Sequence, residues 1–335
     1  MGHGGKKMDF LIEFIANKIV IKKTSETALG VEAFDDGAII PFANQNYDIV
    51  VTTDSYTVTP IFFQGGNIGT LAVSGTINDL LMMGAKPIAL TLSLVIREGF
   101  TFRELGEIIE TISEISSKYG IAIVAGDTKV MPRTSMNEVT LIINTTGFGI
   151  ISPGMRITDS SIKHGDKIIS TGTLGDHGFA MLAIREGIEL ETNLESDVAP
   201  LTDLILPLLK YRIHAMKDPT RGGLASVLNE WAKKSAVSIW LEEESIPIKE
   251  EVKIISEIFG IDPLLVSNEG KAILAVHPDD AEKVLEEIKS SELGINAAII
   301  GEVRANRKGQ VLLKTRIGGH RLLDKPVGEP IPRVC

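Results

Sequence analysis

The sequence predicts an α+β chain of two domains, residues 1–153 and 154–323, followed by an extended tail over residues 324–335. Three observations carry that reading. Helix-like and strand-like patterns alternate through the first half. The pattern resets around Gly149–Gly154, where Gly, Ser and Pro cluster. The last stretch, Lys325 to Cys335, holds three prolines and no helical period. At 335 residues the chain is long enough for two separate cores.

In order along the chain, Asp9–Ile19 reads as an amphipathic helix and Tyr47–Thr53 as a strand running into Thr-Thr-Asp. Gly66–Met83 is a helical stretch opened by Gly65-Gly66-Asn67-Ile68-Gly69. Ile88–Ile96 alternates apolar residues with Thr and Ser, as a strand does. Phe102–Tyr119 places Leu105, Ile108, Ile109, Ile112 and Ile115 on one helix face, with Gly120 as its stop. Ile121–Ala125 and Val139–Thr146 complete the first set as strands. The second set comprises strands at Lys167–Ser170, Val237–Leu241, Ala272–Val276, Ala298–Val303 and Gln310–Lys314. Its helices begin at Asp176 and Thr202 or run over Thr220–Lys233, Lys249–Phe259 and Pro278–Lys289. The tail, at ~3.3 Å per extended residue, reaches on the order of 35 Å, enough to fold back onto the body.

Composition narrows the function. A net charge of −10 argues against nucleic acid as the main partner. No run approaches the roughly 20 apolar residues of a membrane span, and the N-terminal pattern is not that of a signal peptide. The cytoplasm is the expected location. The chain has one cysteine, Cys335, so internal disulfides are excluded, and a thiol at the final position is accessible and mobile.

Carboxylates recur where strands are expected to end: Asp35-Asp36, Thr52-Thr53-Asp54, Asn78-Asp79 and Gly126-Asp127-Thr128-Lys129. Each is compatible with a simple turn. Together they fit oxygen ligands for a hard cation bound with phosphates. Gly65–Gly69 and Asp218-Pro219-Thr220-Arg221-Gly222-Gly223 each precede a helix, whose N-terminus either cradles phosphate or is merely capped. Neither has the Walker pattern. Glu269, in Asn268-Glu269-Gly270-Lys271, reads as a surface turn or as a placed carboxyl; Lys129 as a solvated lysine or a phosphate-binding cation. His177, in Gly175-Asp176-His177-Gly178, sits at a helix start, and the histidines lack zinc-ligand spacing.

The run Thr52-Thr53-Asp54, Pro60, Gly65–Gly69, Leu71-Ala72, Gly75-Thr76-Ile77-Asn78-Asp79 and Gly84-Ala85-Lys86-Pro87 resembles the AIR-synthetase-like (PurM-like) ATP-binding superfamily. Four further segments resemble its HypE family of hydrogenase maturation factors. They are His3-Gly4-Gly5, Ala125-Gly126-Asp127-Thr128-Lys129-Val130, Gly175-Asp176-His177-Gly178 and the ending Pro332-Arg333-Val334-Cys335. The segments Asp218–Gly223 and Asn268–Lys271 also match.

That resemblance implies a two-domain PurM-like fold, with an N-terminal α/β domain whose sheet dimerises and a C-terminal α+β domain. It implies a homodimer using ATP and Mg²⁺ as a carbamoyl dehydratase. HypF would load a carbamoyl group onto Cys335, ATP would drive its dehydration to a thiocyanate, and the HypC–HypD complex would accept the cyanide. Asp36, Asp54, Asp79 and Asp127 would form the magnesium–phosphate set, with Asp35 beside it. Gly66, Asn67 and Arg221 would contact the nucleotide, and Glu269 with Lys129 would handle the proton. Asn67 stands where the family often has Asp, which removes one candidate metal carboxylate. The competing readings are a small-molecule kinase or synthetase of the same superfamily (thiamine-phosphate kinase, AIR synthetase or selenophosphate synthetase) and a non-catalytic carrier of a tail-borne group.

Overall fold

The computed structural model of the chain describes residues 5–18, 20–41, 46–136, 139–188, 194–328, 330–331 and 334. His3-Gly4, Pro332-Arg333 and Cys335 lie outside the described residues.

The first domain is a five-stranded sheet with two long helices packed on one face. After α1 (Gly5–Lys18) come β1 (Ala38–Ile40), β2 (Asp48–Tyr56) and a short hairpin, β3 (Phe62–Phe63) and β4 (Gly66–Asn67). Then follow α2 (Ile68–Met82), β5 (Lys86–Arg97), α3 (Phe102–Tyr119), β6 (Ala122–Met131), α4 (Arg133–Met136) and β7 (Leu141–Ile151). The spatial order is β1-β2-β7-β5-β6, antiparallel except for β5 and β6, which run parallel across the α3 crossover. β7 alternates buried and half-buried residues, the buried set lying on the helix side. α3 starts with a capping box in which the Glu104 amide donates to Thr101 Oγ1 at 3.1 Å, and ends at Gly120 with φ 66°.

The second domain contains β8 (Lys167–Ser170), α5 (Asp176–Glu186), α6 (Thr202–Ile205), β9 (Ile213–Lys217), α7 (Gly223–Lys234), β10 (Ser238–Glu242) and α8 (Glu250–Phe259). It closes with β11 (Ile273–Val276), α9 (Pro278–Lys289), β12 (Ala298–Arg304), β13 (Gln310–Lys314) and β14 (His320–Leu322). Its seven strands are ordered β14-β13-β10-β12-β8-β11-β9. α7 packs through the fully buried Trp231 into one apolar cluster with Ile239, Ile273 and Val311. A larger cluster joins Leu71, Ile77 and Ile108 of the first domain to Phe179, Val198 and Leu274 of the second, so the two domains share a core. Among the described residues, no helix is long and apolar enough to cross a membrane.

The elements agree with the alternation and helical spacing, but three carboxylates are not where turns were expected. β2 continues past Asp54 to Tyr56, Asp79 is in the last turn of α2, and Asp127 is mid-strand in β6. Of the four acidic pairs or motifs, only Asp35-Asp36 is in a loop. The tail is extended as expected but is not loose. Leu323 donates its amide to Val311, Lys325 pairs with Asp9 and Glu230 at 2.7 Å each, and Ile331 and Val334 are buried in the shared cluster.

Candidate active site

β2 and α2 bring the first two carboxylates together. Even-numbered residues of β2 point toward α2. Asp54 therefore lies on the same face as Thr52 and Tyr56, and Thr52 Oγ1 donates to Asp79 Oδ2 at 2.8 Å. Tyr56 donates its hydroxyl to Asp54 Oδ2 at 3.1 Å and lies 3.3 Å from Thr76 Oγ1, which in turn bonds Thr145 on β7. Gly75 makes room for that phenol: a Cβ there would stand 2.3 Å from the Tyr56 hydroxyl oxygen.

Asp218, at the end of β9, joins this group. Burial, then the charges of Asp36 and Asp54, outweigh Lys217 and push Asp218 up to about 8. Asp79 is pushed well above the ordinary carboxylate range by burial, then by Asp54, Asp218 and Asp36. Asp36 rises to about 6, mainly through burial, although Lys217 Nζ bonds its Oδ1 at 2.6 Å.

Glu269 is the second half of the site. It is buried, and its Oε1 has no hydrogen-bond partner. Burial, then Asp218, Asp197 and Asp54, raise its pKa well above normal, with Arg221 drawing it back. Its backbone is held firmly. The Glu269 amide donates to Asp197 Oδ1 at 3.2 Å, and Asn78 Nδ2 donates to the Glu269 and Ala199 carbonyls at 3.4 and 3.0 Å. Asn78 Oδ1 also accepts from the Leu201 amide at 2.9 Å. The Asn78-Asp79 pair thus faces two ways, Asn78 clamping the second domain and Asp79 entering the acidic group.

Asp35 belongs to a different arrangement. Lys234 bonds Asp35 at 3.1 Å and Asp159 at 2.7 Å, while Lys217 reaches Asp159 at 3.2 Å. Trp231 Nε1 donates to the same Asp159 at 2.8 Å.

Asp127 and Lys129 are not brought to Asp54 within one chain. The register Asp54–Thr145–Leu92–Gly126 crosses the sheet, and its neighbour Ser55–Asn144–Ser93–Asp127 points to the opposite face. Three interstrand steps of roughly 4.8 Å put Asp127 about 14 Å from Asp54. Lys129 follows on Asp127's face, and both are exposed on the edge strand.

Gly66 and Asn67 form β4, immediately before α2. Asn67 is the N-cap of α2, its Oδ1 accepting from Gly69 and Thr70 amides at 2.7 and 3.2 Å and its Nδ2 donating to Thr111 at 2.9 Å. Asn67 therefore caps the helix with its side chain. Arg221 stands exposed just before α7, close enough to act on Glu269. Cys335 lies outside the described residues.

Sequence reasoning did not single out Tyr56, Thr76, Asp197 or Asp218 as site residues. The Asp-Pro-Thr-Arg-Gly-Gly motif was the available signal for Asp218. Nothing local marked Asp197, whose partners come from residues 268–271.

The donor set suits a hard divalent cation with phosphates. Several carboxylates raise one another's pKa, and among Asp36, Asp79 and Asp218 the Lys217 charge draws back only Asp36 and, less than burial raises it, Asp218. Among the described residues no three such side chains enclose a metal by themselves.

The model for AIR synthase related proteins matches residues 34–151 with its N-terminal domain and 163–314 with its C-terminal domain. A hydrogenase expression/formation protein of Methanocaldococcus jannaschii is 48% identical over 100% of this chain and 98% of its own length. The carbamoyl dehydratase HypE of Rhizobium leguminosarum bv. viciae is 41% identical over 100% and 93%. A crystal structure of a HypE–HypF complex superposes with a TM-score of 0.85 at 42% identity, covering 95% of this chain and 99% of that one. HypE in complex with ATP gives 0.82 at 36%, covering 100% and 98%. Thiamine monophosphate kinase from Aquifex aeolicus, at 19% identity and a TM-score of 0.63 over 92% and 95% of the two chains, shares the fold alone. With matches that run through both domains and the full length, the chain belongs to the AIR synthase related proteins and, within them, to the HypE family of hydrogenase maturation factors.

Proposed function

We propose that the protein is an ATP-dependent carbamoyl dehydratase acting on a carboxamide carried by the Cys335 thiol. The observation that carries this reading is the tail: Val334, next to the only cysteine, is seated inside the body rather than in solvent. A small-molecule kinase has no use for that arrangement. A carrier without catalysis has no use for a buried Glu269 whose Oε1 lacks a partner beside an acidic group.

In the reaction, Cys335–S–C(=O)–NH₂ attacks the γ-phosphorus of ATP through its amide oxygen, and ADP leaves. The oxygen becomes part of a phosphate, a good leaving group. Loss of both N–H protons and cleavage of the C–O bond give Cys335–S–C≡N and inorganic phosphate. One or two of Asp54, Asp79 and Asp218 would hold Mg²⁺, which would neutralise phosphate charge when bound. Glu269 takes an N–H proton. Burial makes it a stronger base than an exposed carboxylate once ionised, and Asp197 fixes its peptide. Tyr56 orients Asp54, and Thr52 orients Asp79.

HypF as the carbamoyl donor is supported by the HypE–HypF complex of a relative. Delivery of cyanide to HypC–HypD for the iron of the [NiFe] centre follows from the same reading, as does a cytoplasmic setting. A homodimer is supported by β6, an edge strand exposed along most of its length, with Val124 and Val130 more than 60% accessible. On this reading Asp127 and Lys129 belong to the dimer face, and any part they take in the reaction requires the second copy.

Intact-mass spectrometry of the C-terminal peptide after incubation with HypF, carbamoyl phosphate and ATP tests the proposal. The expected products are a shift of about +43 Da without ATP and about +25 Da with it, the masses of added HNCO and of a nitrile replacing hydrogen. Cys335→Ala should show neither. An adduct elsewhere on that variant would overturn the carrier role.

A further inference from the structure

His177 is buried at the start of α5, and both of its ring nitrogens are engaged. Nε2 lies 2.7 Å from the Val334 carbonyl oxygen and Nδ1 lies 2.7 Å from Ser196 Oγ. The chemistry of the partners fixes the direction of each bond. A peptide carbonyl only accepts, so Nε2 carries the proton and donates to Val334. Burial holds the imidazole below its usual pKa, which favours the neutral ring. Nδ1 therefore accepts, and Ser196 donates. The Ser196 oxygen in turn accepts from the Val198 amide at 3.1 Å. Val198 amide, Ser196 hydroxyl, His177 ring and Val334 carbonyl form one chain in which every donor points toward the tail.

Three parts of the molecule meet at this ring. The β3–β4 hairpin supplies Phe63, edge-on to His177 at 5.8 Å, and the Gln64 carbonyl, which accepts from the Ser196 amide at 2.9 Å. The second domain supplies His177 and Ser196. The tail supplies Val334, which has 1% of its surface exposed.

The next residue after Ser196 is Asp197, which bonds the Glu269 amide and Asn268 Nδ2 and pairs with Lys271 at 3.4 Å. Gly270 lets this segment approach: a Cβ there would stand 1.8 Å from the Asp197 carbonyl oxygen. Adjacent residues thus hold the tail on one side and the base on the other.

We infer that His177 is a positioning residue for the dehydration step, a latch that grips the peptide preceding Cys335 and registers the loaded thiol against Glu269. The inference rests on the proposed reaction, and its test separates the two. It implies that loading and dehydration have opposite needs. Loading by a partner enzyme requires the tail released, whereas dehydration requires the His177–Val334 bond made.

The test compares His177→Ala and His177→Gln in the full-length protein. The first removes the donor and the second keeps an amide N–H of similar reach. Hydrogen exchange of the 323–335 peptide reads the latch without any chemistry, and is expected to be about 10-fold faster in His177→Ala. Single-turnover conversion of the preloaded carboxamide to the nitrile is expected to fall about 10²-fold, the scale for a misplaced reacting group. Carbamoyl loading should be equal or faster, and His177→Gln should recover most of the loss. Unchanged tail exchange in His177→Ala overturns the latch, as does loading that falls in step with dehydration or a failure of Gln to rescue. If wild-type protein shows latch-dependent exchange but forms no nitrile, the reaction is wrong and the latch stands.

Discussion

Two groups of buried carboxylates meet at Asp36, and they differ in how much lysine charge sits among them. In the first, Asp35, Asp36 and Asp159 are matched by Lys217 and Lys234 at salt-bridge distances, with Trp231 donating to Asp159. Burial still raises Asp35 and Asp36, but each has a lysine at salt-bridge distance. Burial alone would raise Asp159, but the two lysines reverse its sign and hold it below the usual range. In the second, Asp54, Asp79, Asp218 and Glu269 have hydroxyl and backbone neighbours, and their mutual charges add to burial to push Asp79, Asp218 and Glu269 upward. Similar residues at similar depth therefore do different work. The compensated group ties the loop before β1 to the second domain. The uncompensated group holds unfavourable charge that a cation, a phosphate or a transferable proton can relieve.

The contrast predicts a sharp split between chemistry and stability. The largest effect is expected at Glu269→Gln. Nitrile formation should drop about 10³-fold, within the usual range for loss of a general base, while the carboxamide form accumulates in intact-mass spectra. Removing an uncompensated buried acid should not lower the melting temperature. Normal nitrile formation would take Glu269 out of the reaction.

Next in size is Lys217→Met, in the compensated group. It strands Asp36 and Asp159 without their shared cation and should cost about 3–5 kcal/mol of folding stability by chemical denaturation. A loss below about 1 kcal/mol would mean that the two groups do not differ as described.

The smallest effect is a slope with pH. Asp218 has a folded pKa of about 8, above its unfolded value of about 4. The fold therefore binds the extra proton between those values. Its contribution to stability is full below the unfolded value and is lost as pH rises through the folded one. Asp218→Asn should remove that slope and gain several degrees of melting temperature at pH 8 relative to pH 5, the scale of roughly 3 kcal/mol. Saturating Mg²⁺ with nucleotide should shrink the gain, because the cation relieves the same charge in the parent. A gain independent of pH would contradict the assignment.

The periodic elements were legible in the sequence because their signals are local. α3 shows its apolar face, its threonine–glutamate cap and its terminal glycine within one window. β6 was read short because Gly126-Asp127 is good turn chemistry. Register with β5 carries the strand through to Met131, and an exposed edge tolerates both residues. The motif also did not reveal which face of the sheet Asp127 takes, and within one chain that face is opposite to Asp54. Asp54 and Asp79 stood out as carboxylates at expected strand ends and Glu269 as a placed carboxyl, with their roles implied by the resemblance. Lys217, Asp159 and Asp197 did not stand out, because their partners lie tens to hundreds of residues away. The tail was legible as extended from its prolines. Its docking was not, because aliphatic residues at 331 and 334 form no pattern until there is a surface to receive them.

The Asn78-Asp79 pair has a consequence for how α2 can change. Neighbours on a helix point about 100° apart, and here that angle separates a bond across the domain boundary from a place among the phosphate-binding acids. Apart from Thr70, Ser74 and Thr76 the rest of the helix is apolar, and it is buried along nearly its whole length. Its side chains can be exchanged for others of like volume, but its phase cannot shift. A single inserted residue between Asn67 and Asn78 would turn both polar groups off their targets at once. α2 behaves like the cut of a key, where the spacing of two notches matters more than the metal between them.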